Sequence, residues 1–370
     1  MTDQATTDKA AGHRPQATGN SGQVWCVILA GGVGSRFWPV STANRPKQLL
    51  PLASNQPLLR DAIDRMAPLC DPSETLILTN SSLVDAIHEL APEIPKANLI
   101  AEPRPAGTAA ALTWAAAQIE RASGGTRDAI MMSIHADWAV ADPDGFRAAL
   151  TRAAAIAAAT HALVTVGVVP SRPDPGYGYI RPGEEIPGSS GARRVAEFVE
   201  KPDPERAKTM VRDGCLWNSG IFVWRVGDFL DEVRTHCREV APALEAHPDD
   251  LERFFSAVRN PIAVDVGVLE RSDRVVVIPG EFGWDDVGTW VALRRVRHAD
   301  GDGNVLSGPV HAVQASGNVV HAEGNEVVLY GVSDLVVVTH DGLTLVTTTR
   351  HATDLKQLLA ALPTGVRDRG

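Results

Sequence analysis

The chain has 370 residues, with 35 Lys plus Arg against 45 Asp plus Glu, for a formal net charge of −10. At 44% hydrophobic and 22% charged it has the composition of a globular protein, and its acidic balance argues against a nucleic-acid partner, which would need a basic face. No apolar run approaches the roughly 20 residues of a membrane span, and residues 1–22 lack the apolar core of a signal peptide.

Those first 22 residues are expected to be a disordered tail. Val24–Ala30 is a continuous apolar run, as in a strand buried on both faces of a sheet. Helical and strand patterns then alternate: helix Leu58–Leu69, strand Thr75–Thr79, helix Ser82–Leu90, strand Asn98–Ala101, helix Ala106–Arg121 and strand Ala129–Ile134. Helix Pro143–Thr160, preceded by Asp142, and strand Ala162–Val168 follow. This alternation predicts βαβ units, with helices on both faces of a sheet. Residues 171–199, rich in Pro, Gly and Tyr, read as loops plus a hairpin over the sheet edge. Strand Trp217–Trp224, helices Val226–His247 and Leu251–Val258, strand Arg274–Ile278 and helix Thr289–His298 complete the expected core, 23–300. From 301 to 370 short Val-rich strands with Gly and Asn punctuation suggest a small β domain, a solenoid or a sandwich, closing in a helix at His351–Leu362.

Two features stand out against the acidic total. Residues 10–59 contain no Asp or Glu but include Arg14, Arg36, Arg45 and Lys47, so this is where anions would be tolerated. The four cysteines, Cys26, Cys70, Cys215 and Cys237, form no C-x-x-C pair, disulfide framework or zinc motif, and free thiols suit a cytoplasmic protein.

Inside the acid-free stretch, Ala30-Gly31-Gly32-Val33-Gly34-Ser35-Arg36 directly follows the first strand. Glycines there let the backbone turn tightly and bring N–H groups against a phosphate. The run is neither a P-loop, which needs Lys-Ser/Thr, nor a dinucleotide fingerprint, because Phe37 stands where the last Gly is required. Pro46-Lys47-Gln48 can bring a second cation to the same phosphates.

The whole string from Leu29 to Leu52 closely resembles the signature of the sugar-1-phosphate nucleotidyltransferases, in the form of their mannose-1-phosphate guanylyltransferase branch. The resemblance covers about residues 24–300. It implies a Rossmann-like (GT-A-like) α/β fold with a mixed sheet, and a left-handed β-helix-like C-terminal domain used for pairing into a homodimer. It also implies transfer of GMP from GTP to mannose 1-phosphate, releasing pyrophosphate, with Mg²⁺ and no covalent intermediate.

Residue by residue, the resemblance assigns nucleotide binding to Ala30, Gly31, Gly32, Gly34 and Ser35. To these it adds Glu102, Pro103 and Thr108 of a segment in which Gly107 replaces the family Asn. Arg36 and Lys47 are implied as the cations at the transferring phosphate. Asp137 of Ile134-His135-Ala136-Asp137-Trp138 and Asp286 of Trp284-Asp285-Asp286-Val287-Gly288 are implied as metal ligands. His135 and Trp138 depart from the family's Pro and His. Gly178, Glu200, Lys201, Asn218 and Asp265 are implied on the sugar-phosphate side, with Val266 replacing Tyr. The alternatives are the same chemistry with another sugar or base, or a non-catalytic regulatory homologue. A nicotinamide oxidoreductase is disfavoured by the failed fingerprint. A fused isomerase domain is not expected, because no His-x-His cluster follows the core.

Overall fold

The structure, a computed structural model, describes residues 23–32, 35–42, 44–189, 191–367 and 369; the expected N-terminal tail lies outside them. The apolar run after Gln23 forms strand β1 (Val24–Leu29). Its odd-numbered residues Trp25, Val27 and Leu29 enter one hydrophobic cluster, while Cys26 and Ile28 enter another. A strand has two faces, so a run apolar at every position must be covered on both. Helices Leu58–Met66 and Pro143–Thr160 cover one face; Thr108–Ala122 and Val226–His236 cover the other.

Chain order continues with β2 (Thr75–Asn80), β3 (Leu99–Glu102), β4 (Ile130–His135), β5 (Ala139–Val140) and β6 (Leu163–Val168). Then come β7 (Tyr179–Glu185), β8 (Arg193–Val199), β9 (Leu216–Arg225), β10 (Val275–Gly280) and β11 (Trp284–Asp285). Nine of them form one sheet in the order β3-β2-β1-β4-β9-β6-β10-β8-β7. It is mixed: β1 to β4 pair in parallel, whereas β9 runs antiparallel to both β4 and β6. The hairpin β7–β8 extends the same sheet at its edge.

Several elements differ from the pattern-based expectation. The helical stretch 226–247 breaks into Val226–His236 and Ala241–Ala246, with Pro242 at the start of the second. Thr289–His298 yields only a 3₁₀ turn, Trp290–Ala292, and the short helix Leu293–Val296. A helix that the pattern did not predict, Pro204–Arg212, is capped by Asp203 accepting from Arg206 N at 2.8 Å.

In the C-terminal region, β12 (Val305–Ser307), β13 (Val310–Val313), β14 (Val319–Ala322), β15 (Val327–Tyr330) and β16 (Leu335–His340) pair in parallel as successive coils. Parallel stacking selects the solenoid over the sandwich, and β17 (Leu343–Thr348) turns back antiparallel on β16. A ladder of buried asparagines joins the coils. Asn304 Oδ1 accepts from Asn318 N and Nδ2, and Asn318 Oδ1 accepts from Leu335 N. This stack is not packed alone. Val305, Val319, Val336 and Val338 share one core with Phe37, Trp38 and Trp290 from the first strand's exit loop and the final core helix region.

Asn318→Ala would leave Leu335 N and Val332 O without their side-chain partner in the buried stack, and would take from Asn304 Oδ1 one of its two donors. We expect a loss of about 2–3 kcal/mol in chemical denaturation; a change within experimental error would show that the ladder is dispensable.

Candidate active site

At the end of β1 the chain leaves the sheet through Ala30. The Ala30 carbonyl accepts from Gln48 Nε2 at 2.7 Å and from Thr79 Oγ1 at 3.3 Å. The Gln48 bond ties the Pro46-Lys47-Gln48 segment to the glycine turn, a function not visible from the motif alone. Ser35–Phe37 form a short 3₁₀ turn that leaves Arg36 exposed. Gly34 and the Ser35 side chain lie outside what the structure describes.

Lys47 is only 7% exposed. Its Nζ donates to Asp137 Oδ2 at 3.0 Å and to the Asp286 carbonyl at 2.5 Å. Three segments far apart in sequence therefore meet on one ammonium. The small antiparallel pair β5–β11 makes this possible, because Ala139 registers on Asp285 and Val140 on Trp284. Burial opposes ionisation of Asp137, but the adjoining Lys47 ammonium, by charge and hydrogen bond, outweighs it and holds the carboxyl below its usual range.

The two carboxylates of the Asp285–Asp286 pair do different things. Asp285 is buried, takes Arg295 Nε and Nη2 at 2.5 and 2.9 Å, and accepts from Val287 N. Asp286 Oδ1 instead accepts from the Tyr177 hydroxyl at 2.6 Å. Burial, reinforced by Asp286, pushes the Tyr177 phenol above its usual range, so it stays a donor.

Three cavities adjoin. One of about 330 Å³ holds Arg36, Lys47, Asp137 and Asp286. A second, about 360 Å³, holds Gly178, Glu200, Asn218 and Asp265. The third, about 300 Å³, holds Ala30, Gly31, Gly32, Glu102 and Thr108, and Asp137 again reaches it. His135 lines all three. Sequence reading marked it only as a departure from Pro; its position at the junction is set by the fold. Burial lowers its pKa, so the ring is neutral at neutral pH.

On the second wall, Asp265 begins a single π-helical turn, Asp265–Leu269, and accepts from Asn218 Nδ2 at 2.7 Å. Burial raises Asp265 while Asn218 opposes the rise. A Cβ at Gly178 would stand 2.7 Å from Glu200 Oε2 and 3.4 Å from Asn218 Cβ, so a side chain there would push the Glu200 carboxylate aside. Lys201 is exposed, pairs with Glu200 and lines none of the three cavities; nor does Pro103.

On the third wall, desolvation raises Glu102 to about 7. Thr108 Oγ1 accepts from Val264 N at 2.9 Å. Gly107, at φ +84°, would place a Cβ 2.3 Å from the Ile262 carbonyl oxygen. Close backbone approach explains why glycine replaces a larger residue here.

Among the described residues no group of three or more His, Cys, Asp or Glu side chains makes a metal cage. Asp137 and Asp286 instead offer hard oxygens on one cavity wall. That set fits a divalent ion completing its shell with phosphate oxygens and water.

A model of the Nucleotidyl transferase family matches residues 25–303. The chain is 35% identical to the mannose-1-phosphate guanylyltransferase of Escherichia coli (strain K12), over 91% of this chain and 73% of that one. It is 34% identical to mannose-1-phosphate guanylyltransferase ManC of Salmonella typhimurium, over 91% and 72% of the two chains. Among solved structures, a mannose-1-phosphate geranyltransferase from Thermus thermophilus aligns with a TM-score of 0.82 at 33% identity, covering 91% of this chain and 98% of that one. With three cavities meeting at His135, one of them lined by the glycine turn, and with likeness along most of its length, the chain belongs to the nucleotidyl transferase family.

Proposed function

We propose that the chain transfers GMP from GTP to α-D-mannose 1-phosphate, giving GDP-mannose and pyrophosphate. One observation carries the reading. Lys47 joins Asp137 and Asp286 at a cavity flanked on one side by the glycine turn and on the other by the Glu200–Asn218–Asp265 wall. A triphosphate and a sugar phosphate placed on those two sides bring their phosphates together beside Lys47 and Arg36. The relatives' names supply the sugar and the base.

A phosphate monoester is largely dianionic at neutral pH, its second pKa being about 6. An oxygen of the sugar phosphate attacks the α-phosphorus of GTP in line. The new P–O bond forms as the bond to the β-phosphate oxygen breaks, and pyrophosphate leaves with that electron pair. No general base is needed, so the protein's task is positioning and charge. Lys47 and Arg36 offset the anions, and Glu200 and Asn218 hold the sugar. A bound Mg²⁺, held by Asp137 and Asp286, would add positive charge at the phosphate oxygens.

Residues 23–300 form the catalytic domain in this proposal and 301–370 a bracing β domain. The four buried free cysteines suit a cytoplasmic enzyme, and no helix of the described residues is long and apolar enough to cross a membrane. Exposed Val313, Val328 and Tyr330 on the solenoid support a homodimer.

Pyrophosphate release with Mg²⁺, measured across a panel of nucleoside triphosphates and sugar 1-phosphates, should be greatest for GTP with mannose 1-phosphate. A different preferred pair would overturn the assignment. Lys47→Ala and Asp137→Asn should each lower kcat by at least about 100-fold, the scale of losing one charge-stabilising group. A rate near wild type would remove that residue from the site.

Glu102 has a further consequence. As its carboxyl titrates near 7, the charged form, the better acceptor for ribose hydroxyls or base N–H groups, is lost as pH falls. KM for GTP should rise from pH 8 to pH 6 in the wild type and stay flatter in Glu102→Gln. Equal slopes would exclude Glu102 from nucleotide binding. Light scattering should give twice the chain mass; a monomer would reject the dimer.

A further inference from the structure

A larger cavity, about 650 Å³, lies behind Trp284 and Asp285, apart from the three cavities of the active site. Its walls carry Arg65, Arg147, Arg172 and Arg295 as well as Asp61, Asp64 and Asp285. Most of these charges are already matched. Asp64 takes Arg60, Asp285 takes Arg295, Arg172 takes Asp174, and Arg147 takes Asp144. Asp61 accepts from Ser54 Oγ at 2.8 Å.

Arg65 is different. It is 6% exposed, its ring-facing side lies over Phe146 at 5.3 Å, and its Nε and Nη2 have no hydrogen-bond partner. A buried guanidinium with two unsatisfied N–H groups is costly even beside the Asp61 charge, and an arriving anion relieves part of that cost. Burial brings its pKa down to about 10, so it remains charged at neutral pH. Arg147 stands beside it, donating from Nη1 to the Arg65 carbonyl at 3.3 Å. Asp61, one helical turn before Arg65, supplies carboxylate oxygens able to accept from hydroxyls. Together these groups offer a phosphate seat next to hydroxyl acceptors.

We propose that this cavity is a second ligand site, for a phosphorylated sugar, with the phosphate on Arg65 and Arg147 and the hydroxyls on Asp61 and on Gln56, which also lines the cavity. The site also touches the chemistry. Arg172, on its wall, donates to the Tyr177 hydroxyl at 3.0 Å, and that hydroxyl donates to Asp286. A ligand seated by its phosphate on Arg65 and Arg147 and reaching Arg172 with a ring hydroxyl competes for that guanidinium, which loosens Tyr177 and with it the Asp286 carboxylate. Occupancy therefore lowers turnover. This coupling, unlike the binding itself, rests on the transfer reaction proposed above.

The test is calorimetric titration of the full chain with glucose 6-phosphate, with inorganic phosphate as a second arm. Wild type and Lys47→Ala should bind glucose 6-phosphate alike, within about twofold, because Lys47 belongs to the other cavities. Arg65→Met and Arg147→Gln should each weaken it at least tenfold; the second, partly exposed position guards against misfolding of the first. Inorganic phosphate should bind at least tenfold more weakly than the sugar phosphate. Glucose 6-phosphate should inhibit wild-type turnover, and Arg65→Met should keep its basal rate and resist inhibition. Absence of binding, wild-type affinity in both arginine variants, or loss of binding in Lys47→Ala would overturn the site. Equal affinity for inorganic phosphate would overturn the sugar. Binding with unaltered turnover would overturn the coupling. Binding that persists in a chain inactive with every nucleoside triphosphate would sink the transfer reading and uphold the site.

Discussion

The buried ammonium of Lys47 is the constraint around which the active site is arranged. A cation at 7% exposure needs acceptors, and the two it has come from segments 90 and 239 residues away. Removing one charge of a buried pair typically costs more than the pair contributes, because the remaining charge is stranded. So Asp137, Asp286 and the Pro46–Gln48 turn hold each other in place, and the geometry exists before any substrate arrives. In the proposed reaction these two aspartates would hold a divalent ion, which would add positive charge beside Lys47.

Support for Lys47 comes from behind. Arg45, two residues earlier, makes a bidentate contact with Glu323 at 2.8 and 3.0 Å. His321 and His340 close on the same carboxylate, and hydrogen bonding from His321 together with Arg45 holds Glu323 well below its usual pKa. Trp38 Nε1 donates to the Arg367 carbonyl, and Trp290 Nε1 to the Trp38 carbonyl. The solenoid thus acts as a backing plate for the loops that carry Arg36 and Lys47. One set of its valines, Val305, Val319, Val336 and Val338, accordingly packs with Phe37 and Trp38, while Val320 and Val337 join a core internal to the solenoid.

How much of this was legible follows from the range of each signal. The β1 run, the glycine turn and the Asp142 cap of helix Pro143–Thr160, which accepts from Gly145 N, are local features that the chain reveals directly. The mixed sheet is not local: nothing in the sequence of β9 shows that it will insert antiparallel between β4 and β6. The same limit applies to the site. Motif likeness could name Asp137 and Asp286, but the Tyr177–Asp286 bond and the Lys47 bridge depend on tertiary placement. Gly107 reads in the sequence only as a replacement of the family Asn; the backbone of Ile262 shows that a side chain has no room there. Val226–His247 reads as one helix by periodicity, yet Cys237–Val240 leave the helical path before Pro242 restarts it.

The loop Trp284–Gly288 shows how one short segment serves two purposes. Neighbouring residues on an extended strand point to opposite sides. Asp285 turns to Arg295 and is saturated by the guanidinium and by Val287 N, which fixes the backbone on both sides of it. Asp286, pointing the other way, has among the described residues one hydrogen bond to its carboxylate, from Tyr177, and so retains oxygens free to take a cation. The division follows from satisfaction: the acid whose acceptors are filled fixes the backbone, and its neighbour, left partly unfilled at a cavity, is the one the proposed reaction draws on. The −10 net charge hides this distinction. What matters at the site is which carboxylates have been neutralised in advance, and by which arginines.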